Sequence, residues 1–354
     1  MTTPLPRYRL AAFRDLVMRQ LAALADRDGV CGAYRMAPGH RTDLYSSIDA
    51  ALMRTIMGED LVQTVSAHDR RQWCEHINSF AAAYFHRPID GSYDDRMGHS
   101  TFHANGQVIG ALGVLGGKQK YPNRLYDGFD TPDKIARWLD TEIDWTVPWS
   151  ESHRFWGGLH CFSFSRRCTP EWLTTTIDWL DRNVDPKTGW WRVGVRPITP
   201  FEPLGGAAHI LPIYQHHNRV FPCPERMIDS TLALQLPNGC WRPDSDIPMH
   251  FLELDALYVF ATLSPLVPAH RRDDILACVR RYARVVLDYL KQRQDHYLSL
   301  HPHMLMAGVG IMGLFQRLLP DEFTDDVRWT DIFSDHRFYR THEVEVFELT
   351  NRPM

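Results

Sequence analysis

The chain of 354 residues has no CxxC pair, no polybasic run and no long apolar stretch free of polar interruption. Its seven cysteines (31, 74, 161, 168, 223, 240, 278) are odd in number and widely spaced. That pattern argues against a disulfide framework or a zinc ribbon and predicts reduced, mostly buried thiols. A formal net charge of −4 leaves no electrostatic footprint for nucleic acid. The most apolar late stretch, from Leu298 to Leu319, is broken by His301, Pro302 and His303. Such groups are costly in hydrocarbon, so no membrane span is expected. Met1 to Leu10 lacks the apolar core of a secretory signal, and a cytoplasmic location is expected. Nucleophilic triads and phosphate-binding glycine loops are missing as well. Gly110, Gly113, Gly116 and Gly117 fall late in a helical pattern rather than after a strand, and read as close helix packing. Strand signals are few, the clearest being the alternation Glu343-Val344-Glu345-Val346-Phe347.

What the chain does have is helical periodicity. Leu10, Phe13, Val17, Leu21 and Leu24 recur at three- and four-residue steps across Arg7 to Ala25. Asp43 is placed to cap a second helix through Ile48, Leu52 and Ile56, stopped at Gly58. A third runs over Ala67 to Tyr84. Later helices are expected at about 99–116, 132–144, 153–164, 170–182, 205–217, 224–236, 249–263, 269–292 and 303–318. The total is about a dozen.

A repeat organises them. Asp90-Gly91-Ser92-Tyr93, Thr188-Gly189-Trp190-Trp191 and Asn238-Gly239-Cys240-Trp241 each place a large aromatic two residues after a glycine. The glycines are separated by 98 and 50 residues, which fits a unit of roughly 50 with a degenerate copy near Asp144-Trp145-Thr146-Val147-Pro148-Trp149. The glycine ends a helix in a left-handed turn, and the aromatic plugs the seam between neighbouring hairpins. A dozen helices in hairpins of this period suit six inner and six outer members of a closed ring. The expected fold is all-α, an α/α toroid of about six hairpins over residues 1–320. The segment 321–354, mixed in aromatics and charge, is expected to pack on it.

The third repeat, with Gln235 ahead of Gly239-Cys240-Trp241, resembles the QW motif of squalene and other terpenoid cyclases and the related prenyltransferase toroids. The second copy keeps the ending without the glutamine, and the first keeps Gly91 and Tyr93. The resemblance implies a toroid with a central cavity and a terpenoid-like substrate. Class II cyclases carry a D-x-D-D acid after a QW motif; at the comparable place here, Leu252-Glu253-Leu254-Asp255, the last aspartate alone remains.

Eighteen histidines and eleven tryptophans exceed what a plain helical scaffold needs. His99 and His103 open one expected helix, His153 and His160 the next, and His209, His250, His301 and His303 the others. If these are inner helices, their starts point to one mouth of the ring, where imidazoles suit acid–base work near neutral pH. Asp94, Asp95, Asp246 and Asp255 reach the same ends, either as catalytic carboxylates or as helix caps. The candidate catalytic set is Asp255, His250, His99, His103, His209 and Asp95. Candidate substrate contacts are Tyr93, Trp149, His153, Arg154, Trp156, Trp191, Trp241, Tyr258 and His303; the aromatics would offer π faces and Arg154 would hold an anion. No cofactor is expected. The pair His99-x3-His103 nonetheless leaves room for a His-bound divalent metal, the two rings lying one helical turn apart.

The reading that follows is an enzyme of cyclase, isomerase or lyase type on a small or medium-sized, terpenoid-like substrate. A carbohydrate-active hydrolase or lyase is the alternative; a His-ligated metalloenzyme and a non-catalytic binding protein also remain open. Partners beyond a small molecule, and any oligomer, are not legible.

Overall fold

The computed structural model describes residues 4–26, 29–81, 99–243 and 246–347. Among these the regular structure is almost all helical, with one two-residue parallel pairing of Tyr8–Arg9 with Phe323–Thr324. Twelve principal helices follow one another: α1 Leu10–Leu24, α2 Leu44–Ile56, α3 Ala67–Ser79, α4 Thr101–Leu115, α5 Pro132–Thr141, and α6 over 154–163, whose first part, Arg154–His160, is π-helical. Then come α7 Pro170–Asn183, α8 Glu202–His216, α9 Pro224–Ala233, α10 Phe251–Leu263, α11 Arg272–Leu298 and α12 Pro302–Leu318. Asp43 caps α2 by accepting from the Ser46 amide at 2.8 Å. Among the described residues, no helix is long and apolar enough to cross a membrane. The seven cysteines are all free thiols.

Burial separates the helices into two kinds. The even-numbered members are buried almost all round: α10 from Leu252 to Ala261 without a break, and α4 from His103 to Leu115. A helix that is apolar on every face belongs inside. Most odd-numbered members bury one stripe, such as Ile135, Trp138 and Leu139 on α5 or Trp73 and Ile77 on α3. The buried helices pack on one another in order: α2 on α4, α4 on α6, α6 on α8, α8 on α10, α10 on α12, and α12 back on α2.

Three tryptophans recur at the seams. Trp145, Trp191 and Trp241 each donate the indole N–H to a carbonyl in the C-terminal half of the preceding outer helix: Leu139 at 2.8 Å, Leu180 at 2.9 Å and Thr231 at 2.8 Å. The degenerate copy of the repeat thus carries the same contact. Gly189 and Gly239 have φ of 77° and 91°, the left-handed turn that a side chain resists. Gln235 ties the third turn to α11, donating to the Gly239 carbonyl at 2.8 Å and to the Cys278 carbonyl at 3.0 Å.

The C-terminal segment reaches all six even-numbered helices, toward their C-terminal halves in most cases. Thr330 N donates to the Ile56 carbonyl of α2 at 2.9 Å. Phe338 lies against Gly110 of α4, and the Thr330 carbonyl against Gly313 of α12. Tyr339 accepts from Trp156 Nε1 of α6 at 2.7 Å and packs on His216 of α8 at 4.9 Å. Phe333 packs on Tyr258 of α10 at 4.7 Å. A short segment in touch with six helices lies across their common end. Its buried aromatics join the same apolar core as the helices.

The strand expected at 343–347 does not form. Thr341–Val344 is a helical turn, Val344 is buried, and Glu345 is held by Ser165 Oγ at 2.7 Å and the Arg166 amide at 2.6 Å. These side-chain anchors place the segment without a neighbouring strand, so the alternation has nothing to pair with.

Candidate functional site

At the opposite end, most of the inner helices bring their N-termini together. A cavity of about 440 Å³ opens there, lined by seven histidines: His99, His103, His153, His209, His250, His301 and His303. Trp149, Phe251 and Met304 supply its apolar wall, and Ser150 and Ser152 add hydroxyls. The volume lies within the range of small-molecule sites.

Several of the imidazoles are set by local devices. Ser100 caps α4 by accepting from the His103 amide at 3.3 Å, which puts His103 in the first turn. His99 therefore precedes the helix, and its approach to His103, with ring centroids at 4.5 Å, is not the one-turn helical spacing the sequence suggested. His301 caps α12, and His303 stands in its first turn. His209, midway along α8, donates Nδ1–H to the Gly205 carbonyl at 2.7 Å. That bond fixes its tautomer and leaves Nε2 as the proton-accepting nitrogen. Phe333 lies under the His209 ring at 4.9 Å, so the C-terminal segment supports the cavity from below.

The rings form a tight group. His103 lies 4.4 Å from His153 and 5.3 Å from His303, and His99 lies 5.1 Å from His153 and 5.2 Å from His303, between ring centroids. Burial is the main force on their protonation. It pushes His99 and His209 down to about 4, and His153 and His250 to about 3. His103 is also held well below its ordinary value, by burial first and then by His153, His303 and His99. These five rings are neutral at neutral pH, and protonating any one raises the cost of protonating the next.

Behind the group sit two α2 residues that sequence reasoning did not single out. Tyr45 Oη is hydrogen-bonded to His103 Nδ1 at 2.7 Å, and both oxygens of the fully buried Asp49 accept from His303 Nδ1 at 3.2 and 3.3 Å. Burial raises the Asp49 carboxyl, while the neighbouring His303 pulls it down. The signal for Asp49 was present in the sequence: an acid one turn after Tyr45, within the stripe Leu44, Ile48 and Leu52.

The remaining candidates lie elsewhere. Asp255 is buried without hydrogen-bond partners, one turn beyond Phe251, and burial, then Glu253, raises its carboxyl well above the usual range. It is absent from the cavity wall. Trp156 is committed to Tyr339, and Tyr258 donates to Gln215 at 2.7 Å. Trp191 and Trp241 fill seams, because their indole N–H groups are spent on helix ends. Arg154 faces outward, stacked over Trp138 at 4.9 Å and bonded to Glu151 at 3.1 Å. His160, grouped with His153 in the sequence, lies seven residues on and turns to the far end, packed on Tyr339 at 4.2 Å. Tyr93, Asp94 and Asp95 fall outside the described residues.

A wider groove of about 880 Å³ runs along 323–337. Three of its four acids are occupied: Asp325 by Arg14 and Trp329, Asp335 by Arg337, and Asp331 by the amides of Phe333 and Ser334. Those bonds hold the segment in place. Comparison with protein-family models and with curated proteins gives no match.

Proposed function

We propose that the protein is an α/α toroid enzyme that performs acid–base chemistry, of cyclase, isomerase or lyase type, on a small or medium-sized substrate in the histidine-lined cavity. The closed neighbour order of α2, α4, α6, α8, α10 and α12 supports the toroid, as does a C-terminal segment touching all six. The observation that carries the enzymatic reading is the convergence of seven imidazoles from five separate stretches of chain on one cavity. Packing alone gives no reason to bury so many polar rings together.

In this reading His209, with its tautomer set by Gly205, and His153 accept a proton from the substrate. Trp149, Phe251 and Met304 hold its apolar part, consistent with the terpenoid-like class that the Gln235 and Trp241 motif suggests. The carbohydrate alternative calls for a pair of carboxylates at the cavity. Among the described residues no carboxylate lines it, and Asp94 and Asp95 lie outside them.

The test is solvent-deuterium incorporation into a panel of small carbonyl and isoprenoid compounds, followed by NMR with wild type, His209→Gln and His153→Gln. The expected result is exchange into at least one compound and a loss of about 10²–10⁴-fold in the folded variants. Wild-type rates in both variants would overturn the assignment. An unchanged rate in Asp255→Asn would remove Asp255 from the chemistry, in keeping with its place away from the wall.

A further inference from the structure

We propose that His99, His103 and His303 form a binding site for a divalent transition-metal ion of the zinc class, with a fourth position open to the cavity. This concerns the same cavity but rests on the donor set alone, not on His209 and His153 as proton acceptors.

One ring nitrogen from each of the three residues lies within 4.8 Å of the other two. Around a zinc ion with bonds of 2.0–2.1 Å, tetrahedral ligand nitrogens stand about 3.3 Å apart, so each ring has to move inward by only about 0.8 Å. Small rotations about the side-chain bonds supply that. His99 precedes the helix, and the helical backbone does not clamp it.

The orientation of the rings is the stronger argument. His303 spends Nδ1 on Asp49, and His103 spends Nδ1 on Tyr45. In both rings Nε2 is the nitrogen left for another partner. A buried carboxylate behind a histidine is the arrangement that orients metal-bound imidazoles and raises their affinity. Asp49 has no exposed surface, and both its oxygens face His303. A cation beyond the ring balances its charge.

The chemistry of the set selects the ion. Three imidazoles without thiolate suit zinc, copper, nickel or cobalt, and discriminate against magnesium and calcium, which prefer oxygen. Three protein ligands with an open fourth position are the pattern of catalytic rather than structural zinc sites. His153, 4.4 Å from His103 between ring centroids, stands beside that opening.

The experiment is calorimetric titration of chelator-treated full-length protein with Zn²⁺, paralleled by Co²⁺ and its visible absorption. Wild type should take up one equivalent, and Co²⁺ should show the intense bands of a tetrahedral site. His99→Asn, His103→Asn and His303→Asn should each weaken Zn²⁺ by about 100-fold or more, and Asp49→Asn by about 10–100-fold. Circular dichroism selects the variants that remain folded. His250→Asn lines the same cavity outside the triad and should leave the affinity unchanged. Absence of stoichiometric binding, or equal weakening in His250→Asn and the triad variants, overturns the site. Deuterium exchange by metal-free protein would leave the acid–base reading standing without the metal; metal binding with no exchange would do the reverse.

Discussion

Glu253 on α10 is 1% exposed and accepts from the Arg242 amide at 2.8 Å and the Trp241 amide at 3.3 Å through one oxygen, while the other has no partner. Burial raises its carboxyl from 4.5 to about 7, the two amides opposing the shift. The folded protein therefore holds this proton more tightly than the unfolded chain. As pH rises from 4.5 toward 7 the unfolded chain gives up the proton first, and stability falls across that window. A shift of this size corresponds to about 3 kcal/mol, fully lost above about pH 7. Glu253→Gln keeps an acceptor for the two amides and removes the titration. Its buried amide N–H₂ adds a cost of about 1–3 kcal/mol that does not vary with pH. The difference in unfolding free energy between variant and wild type should thus move in the variant's favour by about 2.5 kcal/mol between about pH 5 and pH 8. Urea unfolding followed by tryptophan fluorescence measures it. A difference that stays flat with pH would refute the reasoning, whatever its absolute value.

Two further perturbations test the architecture. Gln235→Leu removes the donor that joins the third repeat turn to α11, and should cost about 1–3 kcal/mol by urea unfolding, since two part-buried carbonyls lose a donor. Unchanged stability would mean the glutamine ties nothing. In Gly313→Ala the new methyl would sit 1.9 Å from the Thr330 carbonyl, forcing the C-terminal segment off α12. Thermal melting should show a loss of about 1–3 kcal/mol or more, against a change within about 0.5 kcal/mol for Gly128→Ala, whose surroundings are open. Equal effects from the two would refute the role given to that segment.

The helices were legible because periodicity and caps are local. Asp43 caps α2 as its position implied, and the helix starting at Pro132 begins where expected. The end expected at 292 coincides with a break in α11: Arg293 has non-helical φ and ψ of −135° and 33°, and a short further helical stretch runs on to Leu298, where Tyr297 is buried and bonded to the Leu305 carbonyl at 2.9 Å. The alternation at 343–347 misled because a period of two marks a strand when a partner strand exists.

The site divides along the same line. Histidines at helix starts could be read from the sequence, because a helix start is a local feature and its end of the hairpin follows from the repeat. Which aromatics face the cavity could not. Trp149 lines it, whereas Trp156, Trp191 and Trp241 carry the same chemistry but find hydrogen-bond acceptors elsewhere. The pairing of Asp49 with His303 joins residues 254 apart in the chain, and no spacing rule connects them. Sequence by itself determined which segments are helices and which ends they start from, since those depend on near neighbours. Tertiary structure alone decided which rings meet, because that depends on how α12 returns to α2, a contact between the last of the twelve helices and the second.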